Sequence, residues 1–407
     1  MLHKKIIAIL LALIAIAGAS FLALALLKND QSETIINKSV IPEKSDEDIL
    51  NEYVEAELKL MTLDQKIAQL LIVEAPGQTI NEHLVTQLKT APYGGFILMR
   101  NSFSSFVSTR DYIQKLRDLS IYPLIISTDQ EGGNVQHMQD ITSPKATKIP
   151  YASEIGYIGS MELSKNVGKV VGRELSAVGI NVDYAPVLDV NSNPNNPIIG
   201  KRSFSKDPTI VSKMGIAFAG GLAESHVTAV YKHFPGHGDT SVDSHKSLPV
   251  VNKTRAELDA VELAPFKEAI ASGAEMIMVA HIALPKITGD RTPASLSYKI
   301  TTELLRNELG FNGLVVTDGL NMGALTKNYK DSEIYWRAIE AGADLLCLPR
   351  NPDLAISSIK EHISEERINE SVRRILRYKY GSMSKWQLLD ESNFASTENQ
   401  SIVDQVK

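Results

Sequence analysis

The sequence predicts a protein of the α/β class, built as a (β/α)8 barrel of the TIM type in a single domain and preceded by a hydrophobic helix. Two observations indicate the barrel: eight short apolar runs recur after residue 60, and longer stretches with helical periodicity separate them. A third observation, the uncharged segment at residues 6–27, indicates the N-terminal helix. An open doubly wound sheet is the alternative, but the chain has neither the Gly-x-Gly-x-x-Gly fingerprint nor a phosphate-binding Gly-Lys-Ser/Thr loop.

The composition restricts the function classes before any motif is read. With 42 basic and 48 acidic residues among 407, the net charge is −6, whereas a nucleic-acid-binding protein usually carries a basic excess. The single cysteine excludes an internal disulfide framework and a zinc site built from cysteines. Length alone suggests two or three domains, although one barrel with insertions also accounts for it. Nothing in the sequence indicates an oligomeric state.

The N-terminal segment has the length and polarity of a membrane anchor. As a helix, residues 6–27 would span roughly 33 Å, enough for a hydrocarbon core of about 30 Å. Lys4 and Lys5 precede this segment, so the positive-inside rule places residues 28–407 outside the cytoplasm, anchored to the cell membrane. Secretion after cleavage stays an alternative, because Ala17-Gly18-Ala19 fits the small-residue rule for signal peptides.

Residues 1–27 are thus the expected signal or membrane anchor, and the rest of the chain is expected to form a polar linker at residues 28–49, the barrel at residues 50–385 and a polar, aperiodic tail at residues 386–407. Within the barrel, each apolar run is rich in β-branched and aliphatic residues and too short for a buried helix, which predicts a strand. The predicted strands lie at residues 68–73, 95–99, 123–127, 180–184, 228–231, 276–280, 314–317 and 343–346. The periodic stretches between them are the predicted helices that cover a parallel sheet.

Ionisable side chains follow seven of the eight runs. The carboxyl ends of barrel strands meet on one face, where barrel enzymes build their sites. These side chains are therefore predicted to line one mouth that suits a hydroxyl-rich ligand. In chain order, the strand ends carry Glu74, Arg100, Asp129, Asp183 with Asp189, Lys232 with His233, His281, Asp318 and the near-neutral Cys347.

The most informative segment is the histidine loop, residues 232–245, which follows the fifth run. It contains three of the nine histidines, two glycines and one proline, so it neither continues a strand nor starts a helix readily. Asp243 lies two residues before His245, a spacing at which a turn can place the carboxylate against an imidazole nitrogen. That pairing would fix the tautomer of His245 and make it a proton donor near neutral pH. Whether His237 and His281 contact a ligand or are structural stays open.

Five motifs occur at or near the predicted strand ends. In chain order they are Thr128-Asp129-Gln130-Glu131-Gly132-Gly133, Ala185-Pro186-Val187-Leu188-Asp189-Val190, Arg202-Ser203-Phe204, Lys232-His233-Phe234-Pro235-Gly236 with Asp243-Ser244-His245, and Val316-Thr317-Asp318-Gly319-Leu320-Asn321-Met322. Together they resemble the motifs of family 3 glycoside hydrolases of the β-N-acetylglucosaminidase type. The resemblance covers approximately residues 50–380, with the motifs in the family's order.

The resemblance implies a retaining exo-β-N-acetylglucosaminidase that needs neither cofactor nor metal and acts on cell-wall-derived or related glycosides, muropeptides included. It implies that Asp318 is the nucleophile, which forms a glycosyl-aspartate intermediate, and that His245, oriented by Asp243, is the general acid and then the base. It also implies which residues hold the sugar hydroxyls: Asp129, Arg202, Lys232 and His233. In the wider family a second domain often supplies a glutamate as acid/base, so the histidine loop is expected to replace it here.

The chain departs from the family pattern in one place. After Gly132-Gly133 the family carries arginines, where this chain has Asn134 and His137, so fewer cations are expected at that edge of the site. Three alternatives stay open. They are transfer of the sugar to phosphate instead of water, a non-catalytic wall-binding protein, and a metal-dependent barrel hydrolase with ligands among Lys232, His233, His281 and Asp318. The metal hypothesis lacks a His-x-His pair after the first strand.

Overall fold

Ten strands occur in the computed structural model, which describes residues 44–406. They are β1 (Leu71–Glu74), β2 (Gly95–Ile97), β3 (Ile125–Thr128), β4 (Gln130–Gly132), β5 (Val135–Gln136), β6 (Val182–Asp183), β7 (Thr228–Phe234), β8 (Met276–Val279), β9 (Leu314–Thr317) and β10 (Leu346–Cys347). Eight of them form one sheet in the order β10-β1-β2-β3-β6-β7-β8-β9, with every pairing parallel. A parallel bridge between Val316 and Leu345 joins the two ends of this sheet. The predicted (β/α)8 barrel is confirmed.

The helices alternate with the strands and cover the barrel. They span Asp46–Leu60, Leu63–Ala68, Glu82–Thr90, Phe106–Leu119, Ala152–Ile158, Met161–Val178, Pro208–Ala223, Arg255–Ala260, Ala264–Ala271, Pro285–Thr288, Gly323–Thr326, Asp331–Ala341, Pro352–His362, Glu365–Tyr380 and Thr397–Val403, and a π-helix spans Lys299–Glu308. The remaining two strands, β4 and β5, form an antiparallel hairpin directly after β3. This hairpin lies at the carboxyl end of the barrel and contributes to the site described below.

The predicted anchor at residues 6–27 lies outside the described residues, as do residues 28–43 of the predicted linker. Among residues 44–406, no helix combines the length and the apolar composition needed to cross a bilayer. The last residues assigned to the linker are helical, because the helix Asp46–Leu60 begins within it. Three acidic side chains occupy the first turn of this helix, where they interact favourably with the positive end of the helix dipole.

The strand boundaries differ from the predicted ones by a few residues. The first predicted strand begins at Ala68, but Ala68 is the last residue of the helix Leu63–Ala68, which a capping box between Thr62 and Gln65 starts. The fifth strand continues beyond residue 231 to Phe234, which pairs with Val279 of β8. Apolar composition therefore located each strand, whereas hydrogen bonding to helix caps and neighbouring strands set its ends.

The apolar runs are buried on both faces of the sheet. Ile72, Phe96, Ile126 and Ile277, from four strands of the barrel, have no solvent exposure. Close approach of strands also requires Gly95, because a Cβ there would lie 2.0 Å from the carbonyl oxygen of Ile125. Burial on both faces explains why these strands lack the alternation of polar and apolar residues seen in half-exposed sheets.

The C-terminal segment, predicted from its composition to be an aperiodic tail, packs against the barrel helices. The ring of Phe394 lies 4.9 Å from that of Phe106, and Phe394 is buried. The buried carboxylate of Glu174 accepts hydrogen bonds from the amide of Ala395 at 2.9 Å and from Nδ2 of Asn399 at 3.2 Å. The segment's apolar residues are spaced too widely for a periodic pattern, yet Phe394, Val403 and Val406 are buried, whereas Leu388 stays exposed.

Candidate active site

A cavity of about 370 Å³ opens at the carboxyl ends of the barrel strands. Six of the seven predicted site residues line it, namely Asp129, Arg202, Lys232, His233, His245 and Asp318. The seventh, Asp243, lies beside His245 and is hydrogen-bonded to it. The barrel therefore brings together residues that are separated by as many as 189 positions in the chain.

Asp318 follows β9 directly and is held as a carboxylate. Its backbone amide donates to the carbonyl oxygen of Val279, and its Oδ1 accepts a hydrogen bond from the amide of Gly319 at 2.8 Å. Burial alone would raise the pKa of this carboxyl group, but the nearby His233 and His281, the Gly319 amide and Lys232 together lower it to about 2. Asp318 is therefore ionised at neutral pH, as a nucleophile must be.

The Asp243–His245 pair lies on the rim of the same cavity. Nδ1 of His245 lies 2.9 Å from Oδ1 of Asp243, which also accepts the backbone amide of His245 at 2.8 Å. Burial alone would raise the pKa of Asp243, but these bonds and the charges of His245 and Lys246 lower it, so the carboxylate is ionised. Since Nδ1 faces a carboxylate, it carries the proton, and Nε2 is the nitrogen available to a substrate. The side chain of His245 is 63% exposed, as a group that meets substrate from solvent requires.

Four charged side chains form a network along one wall of the cavity. Nζ of Lys232 lies 2.6 Å from Oδ1 of Asp129 and 2.6 Å from Oε1 of Glu131. Arg202 binds the Glu131 carboxylate through two parallel hydrogen bonds of 2.8 and 2.7 Å. Burial alone would raise the pKa of Glu131, but the charges of Arg202 and Lys232 hold it well below the ordinary value. The two cations are thus fixed in place, with charged groups on the surface that meets the ligand.

Glu131 is a functional residue that the sequence reasoning missed. The motif that contains it is visible in the sequence, but the resemblance implies a role there for Asp129 alone. In β4, Glu131 is almost fully buried, and its side chain is 4% exposed. A signal existed: two carboxylates two residues apart directly after a barrel strand need cationic partners if both are buried. The chain supplies those partners from Arg202 and Lys232, which no local pattern reveals.

Asp189 orients the predicted sugar-binding residue His233. Oδ2 of Asp189 lies 2.6 Å from Nδ1 of His233, and Oδ1 accepts the backbone amide of His237 at 2.5 Å. Burial alone would raise the pKa of Asp189, but the adjacent histidines lower it, so the buried residue is an anion. With Nδ1 engaged, Nε2 of His233 faces Arg202, whose Nη2 lies 3.4 Å away. The sequence placed Asp189 at a strand end but assigned it no role.

The prediction that all ionisable strand ends line one mouth is wrong in part. Glu74 is exposed and lies outside the cavity. Arg100 lies at the surface, where it forms an ion pair of 3.0 Å with Asp140. Asp183 and His281 are completely buried and do not line the cavity. Which strand ends face the ligand depends on the tilt of each strand and on loop packing, neither of which composition records.

The two histidines left open both have structural partners. Nδ1 of His281 lies 2.8 Å from Oγ of Ser295, and Nε2 lies 3.0 Å from the carbonyl oxygen of Gly319. His281 therefore supports the turn that follows Asp318. His237, by contrast, lines the cavity, while both of its ring nitrogens are engaged by hydroxyl groups of the loop. Within residues 44–406, no three His, Cys, Asp or Glu side chains are arranged to hold a metal ion.

The two positions that depart from the family pattern lie at one edge of the site. His137 lines the cavity, and its Nδ1 lies 3.4 Å from the carbonyl oxygen of Leu98. Asn134 faces away from the cavity, where its Oδ1 accepts a hydrogen bond of 2.6 Å from the hydroxyl group of Tyr151. A cation also lies near this edge, because Nη2 of Arg100 donates to the carbonyl oxygen of Asn134 at 3.3 Å. The expected reduction in cations around the ligand stays a prediction.

Comparisons with known proteins match most of the chain to one family. Residues 62–378 match the profile described as the glycosyl hydrolase family 3 N-terminal domain. A protein of Nitrosomonas eutropha named beta-hexosaminidase is 32% identical over 291 residues, which cover 70% of this chain and 82% of that protein. Beta-hexosaminidase A of Pseudoalteromonas piscicida is 38% identical over 63% of this chain, and the match spans only 47% of that longer protein.

A solved structure shows the same fold. It is a glycoside hydrolase family 3 beta-N-acetylglucosaminidase from Paenibacillus sp. str. FPU-7, with a TM-score of 0.79 and 35% sequence identity. The similarity covers 85% of this chain and 68% of that one.

Proposed function

The chain belongs to glycosyl hydrolase family 3, and we propose that it is a retaining exo-β-N-acetylglucosaminidase that removes terminal N-acetylglucosamine residues through a glycosyl-aspartate intermediate. The relatives named beta-hexosaminidase and the beta-N-acetylglucosaminidase structure support this activity. The single observation that carries the mechanism is the placement of the ionised Asp318 and the Asp243–His245 pair on one cavity.

In the first step, a carboxylate oxygen of Asp318 attacks the anomeric carbon and forms a C–O bond. The glycosidic bond breaks as His245, protonated on Nε2, donates that proton to the departing oxygen. Asp243 accepts the hydrogen bond from Nδ1 and stabilises the imidazolium form. The products of this step are the free aglycone and a glycosyl ester of Asp318.

In the second step, water attacks the same carbon and the bond to Asp318 breaks. His245, now neutral, takes one proton from the attacking water and returns to its starting state. Two displacements retain the anomeric configuration. No cofactor enters either step, since the chain's own carboxylate and imidazole supply the nucleophile and the proton.

The charged wall of the cavity provides the binding groups for the sugar. Asp129 and Lys232 can accept from and donate to neighbouring hydroxyl groups, while Arg202 and His233 offer further polar contacts. Because Lys232 is 3% exposed and pairs with two carboxylates, its position is set before the sugar arrives. Such preorganised charges bind more strongly in a water-poor site than in bulk solvent.

The test is hydrolysis of aryl β-N-acetylglucosaminides by the wild type and two variants. Asp318→Ala should abolish release of the chromophore, and retained turnover would remove Asp318 from the nucleophile role. His245→Ala should slow substrates with poor leaving groups far more than activated ones, since only the former need protonation. Equal losses would contradict the acid role. Asp64→Ala, at an exposed ion pair with Lys360, is the matched control and should leave both rates unchanged.

The natural substrate is proposed to be a cell-wall-derived glycoside, including muropeptides released during peptidoglycan turnover. The support is the hydrophobic segment at residues 6–27 after Lys4 and Lys5, which would expose the barrel outside the cytoplasm. We expect the full chain to fractionate with membranes and to be digested by protease added to intact spheroplasts. A protein protected from protease until lysis would contradict this location.

Transfer to phosphate is the second candidate. A neutral histidine base does not repel an anionic acceptor as a carboxylate base would, so phosphate could replace water in the second step. Turnover in phosphate buffer with detection of the sugar 1-phosphate distinguishes the two outcomes. A non-catalytic wall-binding protein would release no chromophore in any buffer, and a panel of aryl glucosides and N-acetylglucosaminides reports the sugar preference.

A further inference from the structure

The histidine loop is attached to the segment that follows the nucleophile. The backbone amide of Gly323 donates to the carbonyl oxygen of His245 at 3.1 Å, and the amide of Ala324 donates to that of Ser244 at 3.0 Å. Gly323 lies five residues after Asp318. The residue proposed as acid/base and the residue proposed as nucleophile therefore belong to two segments that are directly hydrogen-bonded to each other.

A second set of contacts lies within the loop and fixes its shape. Nε2 of His237 lies 3.0 Å from Oγ of Ser244, and Nδ1 of His237 lies 2.8 Å from Oγ1 of Thr240. Burial lowers the pKa of His237 to about 4, so the ring is neutral at neutral pH. The backbone amide of His237 is fixed in turn by Asp189, which orients His233 at the sugar-binding wall.

From these contacts we propose that Gly323, Ala324 and Ser244, with His237 behind them, are positioning residues that set the distance between the His245 imidazole and Asp318. The proposal rests on the proposed function, because it assigns these residues a role only through proton transfer by His245. His245 is itself largely exposed, and its side chain has one partner, Asp243, in the same loop. The position of the imidazole relative to Asp318 therefore depends on how the loop backbone is attached.

Gly323 is the position at which the attachment can be disturbed most cleanly. A Cβ on residue 323 would lie 2.5 Å from the carbonyl oxygen of His245 and 3.1 Å from that of Lys246. Both atoms are backbone, so an added methyl group displaces the loop and not a flexible side chain. Gly323 does not line the cavity. The charged residues of the sugar-binding wall lie elsewhere, in or next to β4 and β7 and at Arg202.

The experiment compares Gly323→Ala with wild type on two aryl β-N-acetylglucosaminides, one with an activated and one with a poor leaving group. A displacement of about 1 Å is expected to cost on the order of 100-fold in kcat/KM for the poor leaving group and much less for the activated one. Competitive inhibition by free N-acetylglucosamine should keep the wild-type constant. A merely structural defect would lower both rates together and weaken inhibition.

Two further variants complete the test. Gly220→Ala, in a helix where an added Cβ meets no atom within 4 Å, is the matched control and should behave as wild type. Ser244→Ala removes the hydroxyl contact with His237 and should lower kcat/KM for the poor leaving group more than for the activated one, by a smaller factor than Gly323→Ala. Because Ser244 also lines the cavity, inhibition by free N-acetylglucosamine must keep the wild-type constant in this variant, and a weakened inhibition would assign Ser244 to sugar binding instead of positioning. With that measurement, Ser244→Ala decides the test if Gly323→Ala does not fold. Equal losses on both substrates, with an active wild type, would overturn the positioning role alone. A wild type inactive on both substrates would overturn the proposed function.

Discussion

Replacing Glu131 with glutamine should destabilise the folded protein and weaken sugar binding together. The carboxylate pairs with two cations, Arg202 and Lys232; Lys232 would keep its ion pair with Asp129, whereas Arg202 would lose its direct carboxylate partner. The side chains of Glu131 and Lys232 are 4% and 3% exposed, so water cannot replace the lost partner. The substitution is nearly isosteric, which confines the change to charge and hydrogen bonding.

The size of the effect follows from the burial of the pair. Removing one partner of a buried ion pair costs about 3–5 kcal/mol, and the glutamine oxygen retains one acceptor, so the lower end is expected. For the sugar, each charge-assisted hydrogen bond to a displaced Arg202 or Lys232 is worth about 1.5–3 kcal/mol, which corresponds to a KM increase of roughly tenfold or more. The effect on kcat should be smaller, since Asp318 and His245 are unchanged.

The pH dependence of the stability loss has a defined sign. The pKa of Glu131 is held below its ordinary value of 4.5, so its ion pairs stabilise the fold fully above that pH. As the pH falls below 4.5 towards the lowered pKa of the folded state, this contribution is lost. The difference in unfolding free energy between wild type and Glu131→Gln should therefore be constant from pH 6 to 8 and shrink in acid.

Urea unfolding and steady-state kinetics measure the two effects. The control is Glu333→Gln, which removes a carboxylate from an ion pair with Arg337 whose side chains are 37% and 26% exposed. An exposed helical pair contributes about 0.3–0.5 kcal/mol, so the control should differ little from wild type. Stability and KM of Glu131→Gln equal to those of the control would refute the conclusion that the buried network fixes the sugar-binding cations.

Three other predictions concern the rest of the barrel. Burial raises the pKa of Asp183 to about 8, so the folded state holds a proton that the unfolded chain releases near its ordinary pKa of 3.8. The free energy of unfolding of the wild type therefore falls as the pH rises across that interval. Asp183→Asn removes this loss, so its gain in unfolding free energy, measured in urea, should be larger at pH 8 than at pH 5. An equal gain at both pH values would contradict this. Phe394→Ala should lower the unfolding free energy by about 3–5 kcal/mol while kcat of the folded fraction is kept, and unchanged urea unfolding would show that the C-terminal segment does not stabilise the barrel. Prolonged dialysis against EDTA should leave hydrolysis unchanged, because Asp318 and His245 supply the nucleophile and the proton; activity lost and restored by a divalent ion would favour the metal-dependent alternative.

Sequence and structure agree most closely where local pattern decides the outcome. Each of the eight apolar runs contains or overlaps a strand or bridge of the barrel, because strands buried on both faces must be apolar throughout. The spacing of Asp243 and His245 was also sufficient to predict their hydrogen bond, since a side chain two residues away needs only a turn to reach the ring. Interactions between residues close in sequence can therefore be predicted from the sequence alone.

The sequence was insufficient where distant segments meet. Glu131 acquired its role from Arg202 and Lys232, 71 and 101 residues later, and Asp189 from His233, 44 residues later. Burial of Phe394 depended likewise on a helix far away in the chain. A residue's partner in such contacts is selected by backbone geometry, which composition and spacing do not encode.

The sequence by itself determined the class of barrel, the approximate positions of its strands and the family, and it predicts Asp318 and His245 as the residues that would perform the chemistry. Only the tertiary structure decided which strand-end residues face the cavity, which charges neutralise one another there, and how the histidine loop is attached near Gly323. The physical reason is that the apolar pattern of a strand and hydrogen bonds between near neighbours depend on residues close together in the sequence. The energy of a buried charge depends instead on partners that only folding brings within hydrogen-bond distance.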